Sequence, residues 1–258
     1  MLLSREEARE IANRTEQALG AFLDLMRPVE LESYFDALGL SLLLQERDTF
    51  GDIRLLAENG RSAGAQARIR SLWESVVILK YVVVCANSPE DAARAFFLYY
   101  EYKRANIMRS TGIWDTLPPE KQQTFEQSRA EFTQLPEPLR TFTKASTELM
   151  HREIVARDPA LLSRVDVGGV SISQYDAAFR VFSAKVHGGL TGTHINVEEW
   201  LNNAPTDPAK QQLDYVGVLI TASSWIRDLV STWLGTTSNP QLMPLWEQSI
   251  ANADQNRQ

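Results

Sequence analysis

A chain of 258 residues, 44% apolar and 23% charged, is long enough to bury a substantial core and has the balance of an ordinary globular protein. Its net charge of −7 argues against a broad electrostatic grip on nucleic acid, although a local basic site stays open to it. With Cys85 as the single cysteine there is no disulfide framework and no Cys-based zinc motif, so a reducing cytoplasm is the expected location. The opening M-L-L-S-R-E-E-A-R-E turns charged after three residues, and no signal peptide is expected. The most apolar run, 76–86, is 11 residues long with Lys80 inside it, too short to span a bilayer, and no membrane association is expected.

Residues 3–26 alternate charged and apolar positions with helical period, and Pro28 ends that helix. A second helix is predicted over 30–45 on Tyr34, Phe35, Leu38 and Leu42, followed by a polar segment at 47–60. The stretch 62–86 reads as one long helix whose second half is apolar almost all round, which places it at the centre of a bundle. Its valines and isoleucine would also suit a buried strand, but no turn signal separates them from the Ala/Arg-rich start. Ser88-Pro89-Glu90-Asp91 is a helix start, and the helix to about Ser110 interleaves aromatic with basic residues. Such interleaving can clamp a nucleic acid strand, or more simply sets core aromatics beside solvated charges. Further helices are predicted over 117–134 and 139–157, then a loop at 158–169. A helix over 171–187 is capped by Ser171 or Ser173, and Asp207-Pro208 opens another, to Trp233. After Gly235 the chain is polar and expected to fray, although Leu242, Leu245 and Trp246 have the character to dock back. The fold class is therefore all-α: a single domain over 1–258, with seven or eight helices around 62–86. Within it, 1–60 reads as an N-terminal helical hairpin, 61–235 as the core and 236–258 as a tail.

The stretch 171–194 carries two of the three histidines, His187 and His194, and ends in a glycine-rich loop. Tyr175, Ala178, Phe179, Phe182 and Val186 form its apolar stripe. Asp176, Arg180, Ser183 and His187 run beside that stripe, spaced four, three and four, and project from within about 60° of one another. A His in a last helical turn, where free carbonyls favour imidazolium, beside an Arg suits a phosphate-bearing ligand or acid–base chemistry. The competing reading is an ordinary polar edge on an amphipathic helix.

Arg180, six residues and His187 resemble the R-x(4–6)-H signature of the HEPN superfamily, small helical domains that often act as metal-independent ribonucleases. The resemblance implies a cleft, usually shared between two protomers, in which His187 acts as acid–base and Arg180 steadies the phosphate as the RNA 2′-hydroxyl attacks. Val181 departs from the polar residue common after the Arg, and the spacing is at the long limit. A wider resemblance, in Arg70-Ser71-Leu72-Trp73-Glu74 and again in Tyr175, Ser183, His187 and Gly188, is to an uncharacterised bacterial all-helical family of unknown function. It implies a helical bundle and no particular activity. Arg70 and Glu74 stand at ion-pair spacing, and Glu74 is expected to meet the Arg180/His187 edge in a polar centre.

Glu148-Leu149-Met150-His151 has the E-x-x-H spacing of di-iron bundles, but the second such pair that those sites need is missing from the sequence. His187 and His194 have no recognised zinc spacing. No metal and no cofactor are therefore expected. The candidate catalytic residues are His187, Arg180, Glu74 and Asp176, and the candidate binding residues are Arg70, Tyr175, Ser183 and His194. The expected partners are an RNA substrate and a second copy in a homodimer. The alternative is a non-catalytic helical module holding a protein partner or a small ligand.

Overall fold

A computed structural model describes residues 3–158, 164–167, 170–173 and 208–255. Helix α1 (Arg5–Met26) opens on a capping box: the Glu7 amide donates to the Ser4 hydroxyl at 3.1 Å, and the Ser4 amide to the Glu7 carboxylate at 2.7 Å. Helix α2 (Tyr34–Glu58) is capped twice. Its Asp36 amide donates to Ser33 at 2.9 Å, and its Tyr34 and Phe35 amides donate to the two carboxylate oxygens of Glu90, each at 2.9 Å. Glu90 lies in the first turn of α4 (Pro89–Ser110), so one carboxylate satisfies the orphan amides of α2 and ties the starts of the two helices together.

Helix α3 (Ser62–Cys85) lies between them in sequence and at the centre in space, packed by α2, α7 (Thr147–Arg157) and α8 (Pro208–Leu234). Ile69, Leu72, Trp73, Val76, Val77, Leu79 and Val82 are fully buried, which bears out a central apolar helix and not a strand. Helix α1 packs on α8, on α2 and on α9 (Leu242–Gln255). Helices α5 (Pro119–Gln134) and α6 (Glu137–Thr143) lie against α4, after a 3₁₀ turn at Trp114–Thr116. The aromatics of α4 mostly pack inward: Tyr99 and Tyr102 against Phe132, Phe96 against Phe142 and Phe97 against Tyr34.

The all-α bundle is as expected, with four local differences. Helix α2 runs on through the predicted polar segment to Glu58, because Phe50, Ile53 and Ala57 keep its apolar stripe going while Arg54 pairs with Glu16 and Glu58. The single helix predicted over 139–157 is two, broken at 144–146, where Ser146 caps α7 by accepting from the Leu149 amide at 3.2 Å. The predicted loop contains β1 (Arg164–Val167), which pairs antiparallel with β2 (Val170–Ser173), so Ser171 lies in a strand and caps no helix. Past Gly235 the chain forms α9, in which Leu242 and Trp246 are buried, and Trp246 meets Phe22 edge-on at 5.5 Å.

Trp233 of α8 locks three helices. Its indole N–H donates to the buried Asp36 at 2.9 Å, its ring meets Phe22 of α1 edge-on at 5.9 Å, and it lies flat on the backbone of α2 at Gly39. A Cβ at Gly39 would sit 2.6 Å from the ring. Gly39→Ala should therefore lower stability by about 1–3 kcal/mol in denaturant titration. Gly20→Ala in α1, where nothing lies within 4 Å, should raise it by about 0.5–1 kcal/mol. Equal effects at the two glycines would contradict the lock. Glu90→Ala should cost about 1 kcal/mol, the usual loss for a helix cap, read by the same titration.

Candidate functional site

Six of the eight candidate residues, Tyr175, Asp176, Arg180, Ser183, His187 and His194, lie outside the described residues. The two described ones, Arg70 and Glu74, are on the same face of α3 one turn apart. The Arg70 Nε donates to the Glu74 carboxylate at 3.0 Å, as their spacing predicts. Their side chains are 23% and 35% exposed, so the pair sits at the edge of the bundle and not sealed within it.

The buried carboxylate of this region is a different residue, Glu46 of α2, which is completely enclosed. The Ser75 hydroxyl, next along α3 from Glu74, donates to Glu46 Oε1 at 2.6 Å, and Gln45 Nε2 reaches the same oxygen at 3.3 Å. Burial pushes the Glu46 carboxyl above the usual carboxylate range; the polar groups of Ser75, Thr49 and Gln45 beside it oppose the rise, and the charge of Glu74 adds to it. Two glutamates of neighbouring helices are thus set apart by their surroundings, one at the surface on an arginine and one in the core beside a hydroxyl. Sequence reasoning missed Glu46 because it ended α2 at Gln45. The signal is the series Leu42, Glu46, Phe50, Ile53 and Ala57, in which an acid occupies a core position of a 3.6-residue stripe.

Farther along α3 a second polar pair crosses to α8. Lys80 Nζ lies 2.6 Å from Asp228, with the lysine buried and the aspartate side chain 29% exposed. This explains the one charge inside the most apolar run of the sequence: a lysine there needs a carboxylate opposite. On the α7 side, His151 is buried with its ring 5.8 Å from that of Trp73. Glu148 and His151 begin α7, and among the described residues no three His, Cys, Asp or Glu side chains gather as a metal site would need. The Tyr81 ring stacks on Phe142 at 4.1 Å, and its phenol is pushed up by burial and by Glu153. Burial likewise raises the Cys85 thiol, which leaves it a small core hydrophobe and a poor nucleophile. No described helix is long and apolar enough to cross a membrane.

Among known proteins, no curated protein and no solved structure matches the chain. A family model does, over residues 36–204, about two thirds of the length. The matched region begins at the Asp36 that holds Trp233 and takes in Glu46, the Arg70–Glu74 block of α3, and the segment from Tyr175 through His194. The chain therefore belongs to this family, which is described as a family of unknown function (DUF5677).

Proposed function

We propose that the domain is a HEPN-like metal-independent ribonuclease or a degenerate relative of one, acting in the cytoplasm as an effector of a bacterial toxin or phage-defence system. The observation that supports it is that one family unit joins Arg180-x(6)-His187 to a partly exposed ion pair, Arg70–Glu74, beside an acid whose hold on its proton is altered. Perturbed acids next to charged pairs are a recurring property of functional sites. In this reading His187 takes the proton of the RNA 2′-hydroxyl as that oxygen attacks the neighbouring phosphorus. The 5′-oxygen leaves with a proton returned to it, and a 2′,3′-cyclic phosphate forms. Arg180 holds the phosphate oxygens as charge builds on them. Glu74 and Asp176 orient these two groups, Arg70, Tyr175, Ser183 and His194 contact the substrate, and a second protomer completes the cleft.

A second reading, a non-catalytic helical module that binds a protein or small ligand, draws on how α3 uses its polar groups. Ser75 is committed to Glu46 and Lys80 to Asp228, both inside the bundle.

Cleavage of total RNA and tRNA in EDTA decides between them. The proposal expects metal-independent cutting by the wild type, lowered at least about 100-fold by His187→Ala and by Arg180→Ala at matched folding. An intact wild type that cuts neither RNA would contradict it. Glu74→Gln is a milder probe, since a half-exposed i,i+4 pair is worth only about 0.3–0.5 kcal/mol and the fold should survive. A fall in cleavage with the melting temperature held would place Glu74 in the machinery, and unchanged cleavage would remove it.

A further inference from the structure

Glu46 has an unusual position even among buried acids, and helix register shows why. Arg5 lies over the Tyr215 ring and Phe22 meets Trp233, so α1 and α8 run parallel. Arg54 pairs with Glu16 and Arg9 with Glu58, so α2 runs antiparallel to α1 and therefore to α8. Ser75 bonds Glu46 and Arg68 pairs with Asp52, so α3 is antiparallel to α2 and parallel to α8. Counting along α2 from Asp36 to Glu46 and back the same distance along α8 from its partner Trp233 arrives at Ser223. Counting back from the Lys80–Asp228 pair to Ser75 arrives at Ser223 again. Two independent contacts thus bring Glu46, Ser75 and Ser223 to one level of the α2–α3–α8 core.

All three are buried. Glu46 Oε2 and Ser223 Oγ are each enclosed with no hydrogen-bond partner among the described residues. A carboxylic acid supplies a donor on that second oxygen, whereas a carboxylate would bring a full charge and a second acceptor to the same place. Among the described residues, the charge of Glu74 opposes its ionisation. From α3 the neighbouring groups are Ser75, which bonds it, and Glu74, already tied to Arg70; on α8, Ser223 lies at the same level and Asp228, bound to Lys80, lies farther along. Gln45 and Thr49 of α2 itself are neutral, and among the described residues no ionisable group of α1 or α4 is one of the main influences on Glu46.

We infer that Glu46 is a proton-dependent latch at the α2–α3 junction, which holds while the enclosed carboxyl carries its proton and loosens when it does not. The sign follows from its raised folded-state affinity for the proton. The stabilisation is complete below the ordinary glutamate range near about 4.3 and is lost as pH rises through the folded value.

The test is denaturant unfolding of wild type and Glu46→Gln from about pH 4 to about pH 9, Gln having the shape and a donor without the titration. The wild-type folding equilibrium should fall relative to that of the variant as pH rises, by up to about tenfold per pH unit within the window. Parallel profiles, or a wild type that gains on the variant, would overturn the latch. Should Glu46→Gln fail to fold, the infrared spectrum of wild-type protein labelled with ¹³C-glutamate gives the same answer. A protonated-carboxyl band present at about pH 6 and abolished on unfolding supports the latch, and its absence overturns it.

Discussion

A helix that is apolar almost all round, as the second half of α3 is, can exist in water only if nearly every side is covered, and that constraint arranges the rest of the bundle. One α2-sized neighbour is not enough. Helices α2, α8 and α7 each take a side, and the contacts that hold them there recur at several levels. Trp233 lies on Gly39 near the start of α2, Ser75 meets Glu46 in its middle, and Arg68 pairs with Asp52 nearer its end. Burial of large apolar side chains supplies the driving force, about 1.5–3 kcal/mol for each one fully enclosed, and the polar contacts choose the register in which that burial occurs.

The same constraint explains why the polar residues of α3 are few and committed. A charged or hydroxyl side chain on such a helix must either reach the rim or bring its partner into the core. Arg70 and Glu74 reach the rim and pair with each other. Lys80 and Ser75 stay inside, on Asp228 and Glu46. This division separates groups at the rim of the bundle from groups spent on its core. The α4–α5–α6 layer joins the core through the Glu90 carboxylate at the amino end of α2, the contact of Tyr34 with Phe97 and the stacking of Tyr81 on Phe142.

Much of the fold was legible in the sequence because its signals are local. Ser88-Pro89 announced a helix start, Pro28 an end, and the run of 62–86 the central helix. The misreadings have physical causes. The second half of α2 looked polar because its charged residues face outward and pair with α1, while Phe50, Ile53 and Ala57 are sparse enough to pass as a loop. The α6–α7 break turns on one serine acting as a cap, and serine is also common inside helices. Of the candidate site, the Arg70–Glu74 pair was legible because it lies within one helix. Glu46 was not, because its meaning depends on Ser75, 29 positions away on another helix. Trp233 and Gly39 are the same case: neither residue suggests the other until the helices are packed.

Native-state hydrogen exchange along α3 tests the organising role of that helix most directly. If α3 is enclosed as described, the amides around Val76–Val82 exchange only when the whole bundle unfolds, with the free energy of global unfolding, while those of α5 exchange by smaller openings. Amides of α3 that exchange more readily than those of α5, or with a free energy well below the global value, would contradict the account.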